Sequence, residues 1–210
     1  VSTVNCSATV TKMIVEKIKY SNILKDYPNI DGIVPITHST GCGMNTESEG
    51  MQMFQRTIDG FKNHPNFSHV FVIGLGCECA QVSLFDESLK KHNRIHFLTI
   101  QDEGGTKKIV DKVLSQIKNL LTEANNVERS SQSVGHLTLA LQCGGSDGYS
   151  GITANPALGI AADLLVKKGG SSILSETPEI YGAEHLLINR ANSQETADKL
   201  IKRLEWWKHY

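Results

Sequence analysis

Short apolar runs alternate with longer amphipathic stretches along the whole chain. Most of the short runs are apolar throughout, instead of alternating with polar residues, which is typical of parallel strands covered by helices on both faces. Six such runs are the predicted strands, at residues 1–4, 32–37, 69–75, 95–100, 136–142 and 171–175.

Each predicted strand is followed by a stretch with the period of an amphipathic helix. The clearest lies between Ile109 and Leu121, where Val113 and Ile117 continue one apolar stripe. The predicted helices are residues 7–20, 47–62, 81–91, 106–124, 155–167, 183–191 and 193–207. Because strands and helices alternate, the sequence predicts an α/β fold with a mostly parallel, Rossmann-like doubly wound sheet of about six strands and helices on both faces.

Length and polar residues predict the domain organisation. A chain of 210 residues is long enough for one sizeable core, so we expect a single α/β domain over residues 1–210. The polar stretch 125–134 is predicted to link two halves of the sheet across the surface. The chain begins without Met and ends inside an uncapped helical pattern at Trp206 and Trp207, which indicates a piece of a longer protein.

Composition disfavours several classes of protein. The net charge is −1, from 21 basic and 22 acidic residues, which leaves no strongly basic surface for nucleic acid. No apolar stretch approaches the roughly 20 residues that cross a bilayer, and the first residues lack the pattern of a signal peptide. The five cysteines do not frame a small disulfide scaffold, so we expect reduced thiols in a cytoplasmic protein without nucleic-acid or membrane partners.

All five cysteines fall in the turns that follow predicted strands. The carboxyl ends of parallel strands meet at one edge of a sheet, where ligands bind, so we expect the cysteines to share a site there. Thiolates suit iron or zinc, and His38, Glu78 and Glu176 lie in the same turns and could complete a mixed set of ligands. The cysteines are Cys6, Cys42, Cys77, Cys79 and Cys143.

Packing is the alternative role for any one of these cysteines, because Cys is a small side chain that fits crowded strand ends. We favour packing for Cys79. A structural zinc module is disfavoured, since the C-x-C motif at Cys77 has no second closely spaced pair.

Glycine-rich turns suggest two kinds of ligand site. Gly74-x-Gly76 after a strand is typical of dinucleotide-binding turns, but Cys79 occupies the place of the third glycine, so a nicotinamide or flavin site is disfavoured. The stretch 143–156 contains four glycines, which let the backbone approach a ligand closely. Its polar side chains suit hydroxyls and a carboxylate near a helix start. These predicted substrate ligands are Ser146, Asp147, Ser150, Thr153 and Asn155.

Several sequence blocks resemble the altronate and galactarate dehydratase family, which also includes a sulfolactate sulfo-lyase subunit. The longest block is G-G-S-D-G-Y-S-G-I-T-A-N-P at residues 144–156. The others are N-C-S at 5–7, H-S-T-G-C at 38–42, I-G-L-G-C-E at 73–78 and S-E-T-P-E-I-Y-G-A-E at 175–184, in the family's order. The resemblance covers essentially the whole chain, and a run this long is far more specific than any short motif.

The resemblance implies the second, central domain of a metal-dependent hydro-lyase, which converts a sugar acid such as altronate or galactarate to its 2-keto-3-deoxy product. It implies ferrous iron as the usual metal, with Mn²⁺ or another divalent ion as the alternative. It also implies a β-rich domain before this region and an α/β region after it. Residues 176–182 are similar to the altronate branch, whereas residues 41–43 are similar to the galactarate branch, so the substrate stays open.

Site residues are carried over from the family by motif. We predict His38, Asp147 and Glu176 as catalytic residues. Dehydration of a 2,3-dihydroxy acid removes the C2 proton and expels the C3 hydroxyl, so it needs side chains that accept and donate protons. His38 or a neighbouring carboxylate is the predicted base. A divalent metal that chelates the carboxylate and a hydroxyl would stabilise the enediolate. The predicted metal ligands are Cys6, His38, Cys42, Cys77, Glu78 and Cys143.

Two functions of other classes stay open beside the dehydratase. The first is a non-catalytic ligand-binding or dimerising scaffold completed by flanking domains. The second is a thiol-rich metal or redox domain. The expected partners are a small sugar acid, flanking domains of the full-length chain and further copies in a homo-oligomer.

Overall fold

The structure, a computed structural model, describes residues 1–86 and 93–210. Main-chain contacts divide the chain into two compact units, unit 1 (Val1–Arg129) and unit 2 (Ser130–Tyr210). The boundary lies inside the polar stretch 125–134. The single-domain prediction stays a prediction, because a domain is defined by folding on its own, which compactness does not measure.

Unit 1 contains four α-helices and two regular strands among its described residues. The helices are α1 (Asn5–Ser21), α2 (Glu49–Lys62), α3 (Ser83–Asp86) and α4 (Thr106–Asn125), and a 3₁₀ turn, Ile23–Asp26, follows α1. The strands are β1 (Val70–Gly74) and β2 (Ile95–Thr99), which pair in parallel with Val70 opposite Ile95. The predicted helix 81–91 extends over residues 87–91, which lie outside the described part of the chain.

Local sequence explains where two of these helices begin and end. The Ser48 side chain accepts a hydrogen bond from the Met51 N–H at 3.2 Å, so α2 begins two residues later than predicted. The helix α1 ends at Asn22, whose φ of 54° is the left-handed conformation that commonly closes a helix.

The segment 1–4, which we call the first extended segment, lies beside β1, and the segment 32–37 is bonded to it in turn; neither forms a regular strand. Thr3 N–H donates to the Ile73 carbonyl at 3.1 Å, and Ser2 N–H donates to the Ile36 carbonyl at 3.0 Å. The Ser2 carbonyl, however, is bound by the ring Nε2 of His38 at 2.9 Å. The His38 side chain thus binds the Ser2 carbonyl in place of the backbone N–H that a continuous ladder would use. The backbone hydrogen bonding between the two segments does not continue past this point.

The strand β1 is apolar because it is covered on both faces. Ile73 packs with α1 and α4 in one buried cluster, whereas Val70 and Val72 pack with α2 in another. Val113, in the predicted stripe of α4, is fully buried in the first cluster. Cys79 packs beside the second cluster, as predicted.

Unit 2 is a β-α-β unit followed by two helices. The strands β3 (Thr138–Leu141) and β4 (Ser171–Leu174) pair in parallel, with Thr138 opposite Ser171. The helix α5 (Ala154–Lys167) connects them and begins one residue earlier than predicted, so Asn155 is its second residue. The remaining elements are the 3₁₀ turns Val134–His136 and Thr177–Ile180, and the helices α6 (Glu184–Ile188) and α7 (Gln194–His209).

The α/β class and the parallel pairing are confirmed, and four of the six predicted strands correspond to β1, β2, β3 and β4. The prediction of one doubly wound sheet of about six strands is not confirmed. The described residues form two sheets of two parallel strands each, and the segments 1–4 and 32–37 contain no regular ladder. None of the helices in the described ranges is long and apolar enough to cross a membrane.

A histidine pair lies at the start of the β1 and β2 pairing. His69 Nδ1 and His96 Nε2 are 3.4 Å apart, and the Phe71 ring stacks on His96 with the ring centroids 4.6 Å apart. Burial, and secondly the charge of His69, lower the pKa of His96 below its ordinary value of 6.5.

We expect the free energy of unfolding to fall as the pH is lowered below 6.5, because the unfolded chain then binds a proton that folded His96 resists. Uptake of one proton changes the free energy of unfolding by at most about 1.4 kcal/mol per pH unit. The change is smaller for His96, because its ring is partly exposed and water screens its charge. Urea unfolding at a series of pH values measures this slope. The variant His96→Gln should show a flatter dependence, and equal slopes in the two proteins would contradict the assignment.

Candidate functional site

Three turns of unit 1 meet beside the carboxyl end of β1. The Asn5 N–H, at the start of α1, donates to the Thr40 carbonyl at 2.9 Å. Gly41 lies so close to the first extended segment that a Cβ there would overlap the Thr3 carbonyl oxygen. Three predicted metal ligands are exposed in or beside these turns: Cys6, Cys42 and Cys77.

His38 binds the backbone through both ring nitrogens. Nδ1 accepts the Thr40 N–H at 3.2 Å, so the ring proton is on Nε2, which donates to the Ser2 carbonyl at 2.9 Å. The ring also meets Phe54 edge to face, with the centroids 4.7 Å apart. In this arrangement His38 joins the first extended segment to the turn 38–43, and neither nitrogen is free for a substrate proton or a metal.

Two substitutions separate this structural role from the predicted role of His38 as a base. His38→Ala leaves the Ser2 carbonyl unpaired and is expected to lower the free energy of unfolding by about 1–3 kcal/mol. His38→Gln can still donate to that carbonyl but cannot serve as a base, so we expect it to keep both stability and turnover. A Gln variant that folds as stably as the native chain yet loses turnover by about 10²-fold or more would establish the base instead.

Glu78 holds the turn after β1 with its carboxylate. Oε1 accepts hydrogen bonds from Thr3 Oγ1 at 2.8 Å and from Leu75 N–H at 2.9 Å, and Oε2 accepts one from Gly76 N–H at 2.6 Å. The residue is only 3% exposed. Burial by itself would raise the pKa of Glu78, but the hydrogen bonds outweigh burial and hold the pKa below its ordinary value. Both carboxylate oxygens are therefore engaged by the protein.

Within the described part of unit 1, the predicted metal ligands are not gathered into a coordination site by themselves. Within residues 1–86 and 93–210, no group of three or more His, Cys, Asp or Glu side chains is close enough to hold an ion. A catalytic transition-metal or zinc site typically needs about three protein ligands, and the donor atoms of His38 and Glu78 are already hydrogen-bonded. The side chains of unit 1 alone therefore do not fit iron as arranged, and no chemical step is assigned to a metal.

Unit 2 brings four polar side chains together at the carboxyl ends of β3 and β4. The Cys143 N–H donates to Glu176 Oε2 at 2.5 Å. Cys143 Sγ lies 3.2 Å from Ser146 Oγ, and the Ser146 hydroxyl donates to Glu179 with 3.3 Å to each carboxylate oxygen. Cys143 and Ser146, which the sequence predicted from one turn, and Glu176, predicted from another, are thus neighbours. We call these four residues the β3–β4 cluster.

Glu179 is the member of the β3–β4 cluster that the sequence prediction missed. Glu176 directly precedes the 3₁₀ turn Thr177–Ile180, and Glu179 is its third residue. Glu176 binds the Cys143 N–H and Glu179 binds the Ser146 hydroxyl, so the two glutamates reach the same loop from one side of the turn. The spacing Glu-x-x-Glu around Pro178 was the sequence signal for Glu179.

Most other predicted substrate ligands hold the glycine-rich loop itself. Asp147 Oδ1 accepts hydrogen bonds from the N–H groups of Tyr149 and Ser150, each at 2.8 Å, and Ser150 Oγ donates to the Asp147 carbonyl at 2.9 Å. Thr153 Oγ1 donates to the Tyr149 carbonyl at 3.0 Å. The Asn155 side chain is exposed and makes no hydrogen bond within the described ranges. Its amide is therefore open to a ligand.

Two sequence families match the chain in consecutive regions. Residues 1–125 match the family described as D-galactarate dehydratase/altronate hydrolase, second domain. Residues 134–210 match the family described as D-galactarate/altronate dehydratase, C-terminal. The boundary between unit 1 and unit 2 falls between the two matched regions.

Individual relatives are longer than this chain. The chain is 36% identical over 188 residues to an altronate dehydratase of Escherichia coli strain K12, a match that covers 86% of this chain and 36% of the relative. It is 37% identical over 163 residues to a galactarate dehydratase (L-threo-forming) of the same organism, with 74% and 31% covered. It is 26% identical over 172 residues to a (2R)-sulfolactate sulfo-lyase subunit beta of Chromohalobacter salexigens, with 81% and 43% covered. The chain thus spans less than half the length of these curated relatives.

Proposed function

Because the chain belongs to the D-galactarate dehydratase/altronate hydrolase family, we propose that it is part of a hydro-lyase that dehydrates a sugar acid such as altronate or galactarate. Its product would be a 2-keto-3-deoxy sugar acid. The structural observation that supports this proposal is the β3–β4 cluster, in which Cys143, Ser146 and Glu176 meet. The cluster lies at the carboxyl ends of parallel strands, where α/β proteins bind small ligands.

The reaction needs a base for the C2 proton and an acid for the departing C3 hydroxyl. We propose Glu176 as the base. Its Oε2 is held by the Cys143 N–H, which fixes the direction of the carboxylate, whereas Oε1 makes no hydrogen bond to the residues that the structure describes. The geometry favours Glu176 over His38, because both ring nitrogens of His38 already bind the backbone. The role of Asp147 stays a prediction.

Ferrous iron, or Mn²⁺, is proposed from the family resemblance alone. Metal analysis of protein purified without oxygen tests this requirement directly. The greater length of the relatives supports the further proposal that additional domains accompany this chain. The cytoplasmic location and the homo-oligomeric state stay predictions.

The proposed activity is tested by assaying 2-keto acid formation. The assay uses the protein in the form that its cell produces, together with any flanking domains, which we call the naturally produced protein. The panel of substrates contains aldonates and aldarates, together with (2R)-sulfolactate because one relative is named as a sulfo-lyase for it. Each substrate is tested with and without added Fe²⁺ or Mn²⁺. We expect turnover of at least one sugar acid. Binding of a sugar acid without turnover under any condition would favour the scaffold function, and bound metal without either would favour the metal or redox domain.

A further inference from the structure

We propose that Glu179 is a positioning residue of the β3–β4 cluster, which sets the Ser146 hydroxyl as a hydrogen-bond acceptor for a substrate hydroxyl. The kinetic consequence rests on the proposed dehydratase function. The geometric consequence does not, because it concerns only Cys143, Ser146 and Glu179 of this chain.

The inference depends on the direction in which the Ser146 hydroxyl proton points. A serine hydroxyl has one proton and two lone pairs, whereas a carboxylate only accepts. Ser146 Oγ lies 3.3 Å from both oxygens of Glu179, so its proton points to that carboxylate. Toward Cys143 Sγ, at 3.2 Å, and toward any ligand, Ser146 Oγ is then left as an acceptor.

Glu179 is needed for this orientation because the loop around Ser146 is not fixed by packing. A Cβ added at Gly144 or Gly145 would meet no atom within 4 Å, so open space surrounds the backbone next to Ser146. Two hydrogen bonds tie the loop to the turn after β4. Glu176 holds the backbone at Cys143, and Glu179 holds the side chain of Ser146.

Because Ser146 Oγ is held as a hydrogen-bond acceptor, it can bind only substrate groups that donate a hydrogen bond. An acceptor oxygen pairs with an O–H of a polyhydroxy acid, and it repels a carboxylate oxygen, which cannot donate. Ser146 is therefore assigned to a hydroxyl of the substrate rather than to its carboxylate. The exposed amide of Asn155, which can donate, remains for the carboxylate.

Kinetics of the naturally produced protein test the consequence for turnover. Glu179→Ala is expected to lower kcat/KM about 10- to 100-fold, the usual effect of losing a hydrogen bond to a charged group. Glu179→Gln should keep most of the activity, because its amide oxygen accepts the same bond. The control Glu195→Ala, which removes an exposed carboxylate 2.7 Å from Lys199, should leave kcat/KM unchanged.

A double substitution shows whether Glu179 acts through Ser146. If it does, Ser146→Ala combined with Glu179→Ala is no less active than Ser146→Ala alone. Losses that multiply in the double variant would overturn the proposal, as would a Gln variant as impaired as the Ala variant.

The Raman S–H stretch of Cys143 tests the geometry without turnover. The band is measured in the same protein as the kinetics and assigned by difference from Cys143→Ser. Glu179→Ala is expected to shift it, because the freed Ser146 hydroxyl turns its proton to the sulfur, whereas Glu179→Gln should not. An unchanged band in Glu179→Ala would overturn the positioning role. If the band shifts in Glu179→Ala but the native protein turns over no sugar acid, the proposed function is contradicted and the positioning role of Glu179 is not.

Discussion

Glu176→Gln is expected to lower turnover of the sugar acid by about 10²–10⁴-fold, the usual contribution of a positioned general base. The Gln side chain has the same shape, and its amide oxygen can still accept the Cys143 N–H, but it cannot take a proton at neutral pH. Stability should therefore change little. Initial rates of 2-keto acid formation and urea unfolding of the same preparation measure the two quantities.

The matched control for this variant is Glu179→Gln, which makes the same chemical change on the same turn. It is expected to stay active, because Glu179 serves only as a hydrogen-bond acceptor. Turnover within tenfold of the native protein in Glu176→Gln would remove Glu176 as the base. Loss of turnover in a stably folded His38→Gln would then assign that role to His38.

The elements of the fold were predictable where the sequence pattern reports burial. The apolar run of β1 is covered by helices on both faces, and the stripe through Val113 is buried against it, so both were predicted correctly. The segment 32–37 has the same apolar character. In the structure it makes one backbone hydrogen bond to the first extended segment, from Ser2 N–H to the Ile36 carbonyl, and the His38 side chain binds the Ser2 carbonyl. A hydrogen bond between a side chain and a distant backbone group leaves no periodic signal in the sequence.

The candidate site was predictable to the level of turns but not of roles. The sequence indicated the turns that hold Cys143, Ser146 and Glu176, because strand ends can be read from apolar runs. It did not show that the polar atoms of Glu78 and His38 form hydrogen bonds with the backbone. A Glu or a His reads the same in a sequence whether its side chain binds a backbone group or a metal. Glu179 was missed because its role depends on the 3₁₀ geometry of a four-residue turn.

Gly41→Ala is expected to destabilise unit 1 by about 3 kcal/mol or more. The φ of 97° is a conformation that residues with a Cβ rarely adopt, and the new Cβ would overlap the Thr3 carbonyl oxygen and lie 2.9 Å from Val4 Cα. These are backbone atoms of a segment held by the hydrogen bond from Thr3 N–H to Ile73, so they cannot move aside cheaply.

The control Gly43→Ala separates the close approach from the backbone conformation. Gly43 also has a positive φ, 66°, but a Cβ there meets no atom within 4 Å, so we expect a cost of only about 1–2 kcal/mol. Urea unfolding of both variants gives the difference. Equal destabilisation would mean that the turn 38–43 is not pressed against the first extended segment.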